Sequence, residues 1–267
     1  MSTKRRTTIL KDLIQRQDLT IGVMQQIVNP EVTESIVESG ADFVIVDLEH
    51  TGKTIDSAFG CITAAYAFDV PVLVRVYEKE QHLIEQALDA GAQGVVVPTV
   101  ETVEECEMIV RSAKFAPVGE RGWCPILPAM RWVEGEGQEY IANANRNTFV
   151  SVLIETPLGI ANLPEMLKVE GIDAFLLGPG DYSIRVGKTI WDPEVSDVMV
   201  EAMRLIAEAG KLSMPVALSS NIAEYYGSGA KVVQLGFNDS MAITQRMAAE
   251  TASMREAVSS ARTPQHV

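Results

Sequence analysis

Val150-Ser-Val-Leu-Ile-Glu155-Thr-Pro-Leu-Gly159 carries a grammar that the chain repeats. An apolar run of strand length comes first, a carboxylate stands where the run gives out, and Pro and Gly follow. The same order returns in Ala174-Phe-Leu-Leu-Gly-Pro-Gly-Asp181. A third version, Asp42-Phe-Val-Ile-Val-Asp47-Leu-Glu49-His50, ends in two acids and one of only three histidines. Such unbroken apolar runs predict strands buried on both faces, as in a parallel sheet. An acid at the end of such a strand stands where the sheet opens into a loop. One alone reads equally well as a helix N-cap or a solvated charge. Three in the same place point to a shared site where two carboxylates converge on one cation.

Working outward, strand patterns fall at 20–24, 43–46, 70–75, 94–98, 150–154, 174–177, 214–218 and 231–235. Helical spacing falls at 1–18, 30–38, 55–66, 82–90, 103–113, 137–145, 163–169, 195–209, 222–226 and 240–259. Eight parallel strands, each followed by a helix, predict a (β/α)8 barrel, a fold of about 250 residues. It forms one domain over residues 1–267, with its core at about 20–255. No G-x-G-x-x-G follows the first strand, which removes the usual reason to prefer a doubly wound sheet. The pattern breaks at 114–134, where Pro117, Gly119, Gly122, Pro125 and Pro128 accompany Trp123 and Trp132. A loop of that length inside a compact domain is expected to be functional.

The net charge of −14, with no basic stripe, excludes a phosphate-backbone partner. No apolar run approaches the roughly 20 residues needed to cross a bilayer. Met1-Ser-Thr-Lys-Arg-Arg6 is followed by no apolar signal core, so a cytoplasmic location is expected. Cys61, Cys106 and Cys124 show no C-x-x-C spacing and indicate neither a zinc site nor a disulfide framework.

In a barrel the C-terminal strand ends share one mouth, so Glu49, His50, Arg75, Pro98, Glu155, Asp181 and Ser219 are expected to ring it. Glu155 and Asp181 offer hard oxygen ligands suited to Mg2+ or Mn2+. Arg75 suits a carboxylate or a negative oxygen formed during reaction, although a pairing with nearby acids would occupy it instead. His50 is a candidate general base. A metal that polarises a 2-oxo acid, a base, and an arginine for the enolate together describe a metal-dependent aldolase. The Schiff-base alternative needs a lysine in the mouth, and only Lys231 lies on a strand, at the opposite end.

The chain resembles the HpcH/HpaI family of class II, metal-dependent pyruvate aldolases. The resemblance is carried by Asp47-Leu-Glu-His50, Val74-Arg75, Gln86-Ala-Leu-Asp-Ala-Gly-Ala-Gln-Gly94-Val-Val-Val-Pro98, Ile154-Glu155-Thr-Pro157 and Gly178-Pro-Gly-Asp181. It implies Glu155 and Asp181 as ligands of Mg2+, Mn2+ or Co2+, and His50 as a base working through water. It implies Arg75 on the keto or enolate oxygen, and Asp89 orienting the histidine of a neighbouring subunit. Glu49 and Asp47 would support this set from behind. Gly180, Asp181, Leu153 and Leu218 would line the substrate, the 178–183 segment cradling its carboxylate as an irregular loop rich in N–H groups. The substrates implied are a 2-oxo acid and an aldehyde. The assembly implied is a homohexamer, a trimer of dimers with an exchanged C-terminal helix.

Two departures bear on specificity. Leu153 stands where the family usually has Gln. Trp123-Cys-Pro-Ile-Leu-Pro-Ala-Met130 replaces a small, Gly- and Ala-rich segment and is expected to border the pocket, from its own or the adjacent subunit. These changes also admit altered enolate chemistry (decarboxylation, cycloaddition or hydrolysis) or a catalytically weak keto-acid binder.

Overall fold

A computed structural model describes residues 8–262 of the chain. Its strands are Thr20–Gln25 (β1), Phe43–Asp47 (β2), Val72–Arg75 (β3), Gly94–Val97 (β4), Phe149–Ile154 (β5), Ala174–Leu177 (β6), Leu212–Ala217 (β7) and Val232–Leu235 (β8). They pair in parallel in sequence order, and β8 returns to β1, so the sheet closes into the expected barrel. The N-terminal helix, expected over 1–18, is Leu10–Arg16 (α1); residues 1–7 lie outside the described part. Between the strands run Pro30–Glu38 (α2), Ile55–Ala67 (α3), Gln81–Asp89 (α4), Val103–Ala113 (α5) and Gly137–Asn147 (α6). They are followed by Pro157–Met166 (α7), Pro179–Arg185 (α8), Pro193–Glu208 (α9), Ile222–Gly227 (α10) and Asp239–Arg262 (α11).

Two layers of apolar side chains explain why the strands lack polar alternation. Ile45, Leu73, Val96, Leu153, Leu176 and Met214 point into the barrel. Their neighbours Val44, Val46, Val74, Val95, Val97, Val152 and Phe175 pack outward under the helices. Both faces are therefore buried. Leu10 and Ile14 of α1 join the inner cluster and plug the N-terminal end, where Gln93 accepts from Leu10 N–H and donates to Thr8 O. The end opposite the plug is left as the mouth.

Three sequence expectations are corrected. The helix expected at 163–169 is α7, which starts at Pro157. Thr156 caps it by accepting from Gly159 N–H, and Pro157 sits at the first turn, where its missing N–H costs nothing. The stretch expected as an irregular loop at 178–183 is the start of α8, so Asp181 lies in a helical first turn and does not end a strand.

The third concerns the 123–130 segment, which does not border the mouth of its own barrel. It lies on the outer flank, with a short 3-10 turn at Pro128–Arg131. Pro128 packs beside Gly91, and Arg131 stacks over Phe59. Nearby, Met130 packs on a cluster of Phe115, Trp132, Val133 and Tyr140 that also holds Ile9 and Tyr66. Trp132 and Tyr140 pull the segment outward by burying their rings there. Trp123 and Ile126 are left facing out, 49% and 86% exposed.

The last helix, α11, touches the body mainly through β1. Met241, Ile243, Met247, Met254 and Val258 stand exposed along it.

Candidate active site

The register puts Asp47 of β2 level with Arg75 of β3 at the mouth. Arg75 donates from Nε to Asp47 Oδ1 at 2.8 Å and from Nη2 to Asp47 Oδ2 at 2.7 Å. Its Nη1 lies 3.2 Å from Glu49 Oε2. Asp47 is fully buried and also accepts from Glu49 N–H and Gln26 Nε2. Burial alone would raise its pKa, but the Arg75 hydrogen bonds and charge outweigh burial and hold it below the usual carboxylate range. For Arg75 burial works against the charge, yet Asp47, Glu49 and Glu155 together keep the guanidinium more firmly protonated than usual. The arginine is thus both paired and aimed: Asp47 grips one edge and leaves Nη1 on the Glu49 side.

Glu155 follows β5 and is 5% exposed. Its Oε1 accepts two hydrogen bonds from Thr99, 3.0 Å from N–H and 2.8 Å from Oγ1. Thr99 holds a left-handed backbone at φ 52, a strained conformation for a β-branched residue. Lys79 donates to its carbonyl and helps fix it there. The other oxygen, Oε2, faces Gly178, where an added Cβ would sit 2.8 Å from Glu155 Cβ and 3.2 Å from Oε2. Glycine at 178 therefore keeps the space beside this oxygen open. Burial raises the Glu155 pKa, Thr99 opposes that, and the negative charge of Asp181 adds to it. Asp181 comes close enough to act because α8 begins at the end of β6 and turns its first residues over the mouth.

His50 projects from the loop after β2, its side chain 54% exposed and its Nε2 3.6 Å from Glu49 Oε2. Glu49 has its pKa raised by burial, opposed by Arg75 and reinforced by Glu155. Among the described residues its buried Oε2 accepts no hydrogen bond. Leu218 follows β7, half-buried and packed against Gly236. Gly180 sits exposed in the first turn of α8, and a Cβ there would meet nothing within 4 Å. Leu153 is 2% exposed and lies beneath Glu155 in the inner layer, forming the floor.

Asp89 is the exception. It ends α4 at the plugged end of the barrel and pairs with Arg121 at 2.7 Å, which in turn stacks on Phe115. Within one chain it does not meet His50.

Among the described residues no three His, Cys, Asp or Glu side chains gather as a metal cage. Glu155 and Asp181 provide two hard oxygen donors, one with a free and uncrowded oxygen. That set fits Mg2+ or Mn2+, which keep waters and share their shell with a substrate. It does not fit a closed structural zinc site. Sequence reasoning missed Thr99, whose role rests on a backbone angle, and Gln26, which reads as an ordinary strand-end amide.

A (β/α)8 barrel with paired carboxylates, a pinned arginine and a histidine at its C-terminal mouth defines a lyase of the aldolase type. The chain belongs to the HpcH/HpaI aldolase/citrate lyase family, whose model matches residues 21–244. It is 30% identical over 245 residues to the 2-keto-3-deoxy-L-rhamnonate aldolase of Escherichia coli K12, covering 89% of this chain and 91% of that one. The crystal structure of citrate synthase SbnG superposes with a TM-score of 0.86 at 26% identity, over 94% of this chain and 99% of the other. An HpcH/HpaI aldolase from Desulfitobacterium hafniense DCB-2 superposes with a TM-score of 0.87 at 24% identity, over 98% and 100%. Among the described residues no helix is long and apolar enough to cross a membrane.

Proposed function

We propose that this chain is a divalent-metal-dependent aldolase that cleaves or forms 4-hydroxy-2-oxo acids through the enolate of pyruvate. The observation that carries the reading is the buried Glu155 carboxylate, with one oxygen held by Thr99 and the other left free beside Gly178. Burial and the nearby Asp181 charge make that carboxylate costly unless a cation compensates it. Glu155 and Asp181 would hold the metal, which supplies Lewis-acid polarisation of the 2-oxo group when bound.

The rest is done by the chain's own side chains. Arg75 donates to the oxygen on which negative charge gathers, and Asp47 fixes its angle. His50, exposed and beside Glu49, takes the proton of the C4 hydroxyl in cleavage and returns it in synthesis. The amides of Gly180 and Asp181 open α8 without intrahelical acceptors and suit the substrate carboxylate. Leu153 and Leu218 supply apolar floor and wall, and Thr99 and Glu49 keep the charged groups in place.

Asp89 works in trans in this proposal, orienting the histidine of a neighbouring subunit in a homohexamer built by exchange of α11. The exposed apolar side chains of α11 and the outward-facing Trp123 and Ile126 support an assembly that covers them. The test is pyruvate release from a panel of 4-hydroxy-2-oxo acids with and without EDTA. EDTA-sensitive release on at least one substrate is expected, and EDTA-resistant turnover would refute the metal assignment. The apolar floor at Leu153 favours one second reading, in which the same enolate meets a different electrophile. That reading predicts metal-dependent exchange of pyruvate's methyl protons without aldol cleavage.

A further inference from the structure

The end of β1 and the start of α11 meet behind Arg75, and their polar groups form a directed chain. Asp47, ionised against Arg75, can only accept hydrogen bonds. Gln26 therefore turns its Nε2 toward Asp47 Oδ2, at 3.2 Å, the same oxygen that accepts from Arg75 Nη2. That leaves Gln26 Oε1 to accept from Asn238 Nδ2 at 2.8 Å. It leaves Asn238 Oδ1 in turn to accept from Met241 N–H, in the first turn of α11, at 2.8 Å. Each amide has one orientation that satisfies both neighbours. Beside them Asp239 accepts from the amides of Gln26 and Ile27 at 2.8 and 2.9 Å, so the strand end and the helix start are tied together. Among the described residues no hydrogen bond of Glu155 or His50 runs through this chain.

We propose that Gln26 and Asn238 are positioning residues for Arg75. They complete the donor set of Asp47 and so fix the guanidinium face offered to the substrate. Asp47 Oδ1 takes Arg75 Nε and Glu49 N–H, and Oδ2 takes Arg75 Nη2 and Gln26 Nε2. Reversing the Gln26 amide would place its carbonyl oxygen against the carboxylate in a buried site, where like lone pairs are poorly screened. The proposal rests on the reading of Arg75 as the group that holds the developing negative oxygen.

Asn238→Asp separates positioning from packing. Aspartate matches asparagine in shape, keeps the acceptor for Met241 N–H, and is favoured at a helix N-terminus. A merely structural role therefore makes it the mildest substitution at this position. The positioning chain makes it the harshest for rate, because a carboxylate at 238 accepts from Gln26 Nε2 and turns Oε1 toward Asp47. A kcat loss of about tenfold or more is expected, larger than for Asn238→Ala. Adding Gln26→Met to Asn238→Asp removes the amide that does the damage and is expected to restore kcat to that of Gln26→Met alone. The Arg75 side-chain Nε–H resonance, assigned by its loss in Arg75→Lys, reads the same effect without turnover and is expected to shift in Asn238→Asp. A wild type that releases no pyruvate from any substrate would sink the functional reading, while the resonance still decides the positioning chain. An unshifted resonance, or wild-type kcat in Asn238→Asp, overturns the proposal.

Discussion

Replacing Arg75 with Lys keeps a cation at the mouth and removes its fork. The guanidinium gives Asp47 two short hydrogen bonds, 2.8 Å from Nε and 2.7 Å from Nη2, and still has Nη1 within 3.2 Å of Glu49 Oε2. One ammonium satisfies Asp47 or faces the mouth, and cannot do both. Asp47 is fully buried, so the lost bond cannot be replaced by bulk water. A hydrogen bond to a charged group contributes about 1.5–3 kcal/mol. At about 2–4 °C per kcal/mol for a chain of this size, the melting temperature falls by about 3–12 °C. The rate should fall by about 10²-fold or more, because the donor aimed at the developing charge is gone. Pyruvate release coupled to lactate dehydrogenase measures kcat, and scanning calorimetry measures the melting temperature. A variant that melts lower yet keeps kcat within about twofold of wild type would reduce Arg75 to a structural ion pair, and the assignment of its role would fail.

Four further outcomes are expected. Glu155→Gln should abolish metal-dependent turnover while leaving the metal-free protein as stable as wild type or more so, since burial and Asp181 both penalise the charge; a lower melting temperature in EDTA would contradict this. His50→Ala should slow aldol cleavage much more than exchange of pyruvate's methyl protons, and equal slowing would mean that one base serves both steps. Burial pushes Lys114 down to about 7, from 10.5 when unfolded, while its Nζ donates to Asn145 O and Thr148 O. The folded chain then binds fewer protons than the unfolded chain between those values, so wild type should gain stability over Lys114→Met as pH rises from about 6 to about 9; a pH-independent difference in melting temperature would refute it. Leu153→Gln should shift kcat/KM by roughly 10-fold toward acceptors with a polar or carboxylate tail. An unchanged substrate ranking would remove residue 153 from the determinants of specificity.

Much of the site was legible because strand ends in a parallel barrel share one mouth. Glu49, His50, Arg75 and Glu155 each follow or close an apolar run, and reading those runs as strands was enough to place them together. Asp181 reads in the sequence as an acid ending a strand and stands instead in a helical first turn. Gly178-Pro-Gly180 reads as loop, yet Pro179 fits a first helical turn, and the acid reaches Glu155 from α8. The 123–130 segment stands away from the mouth of its own barrel, a position not legible in the sequence, because apolar bulk next to a break in the pattern says that something is buried, not where.

The sequence by itself determined the fold. Buried parallel strands must be apolar on both faces, and helices between them must carry one apolar stripe, so periodicity alone writes the alternation of a (β/α)8 barrel into the chain. It also determined which ionisable groups stand at the C-terminal strand ends. Only the tertiary structure decided how those groups are held. The grip of Asp47 on Arg75, the support of Glu155 by a strained Thr99, and the links of Gln26 to Asp47 and Asn238 join residues from 21 to 212 positions apart. Hydrogen bonds of that kind depend on ångström distances and on backbone angles such as φ 52 at Thr99, neither of which leaves a periodic trace along a chain.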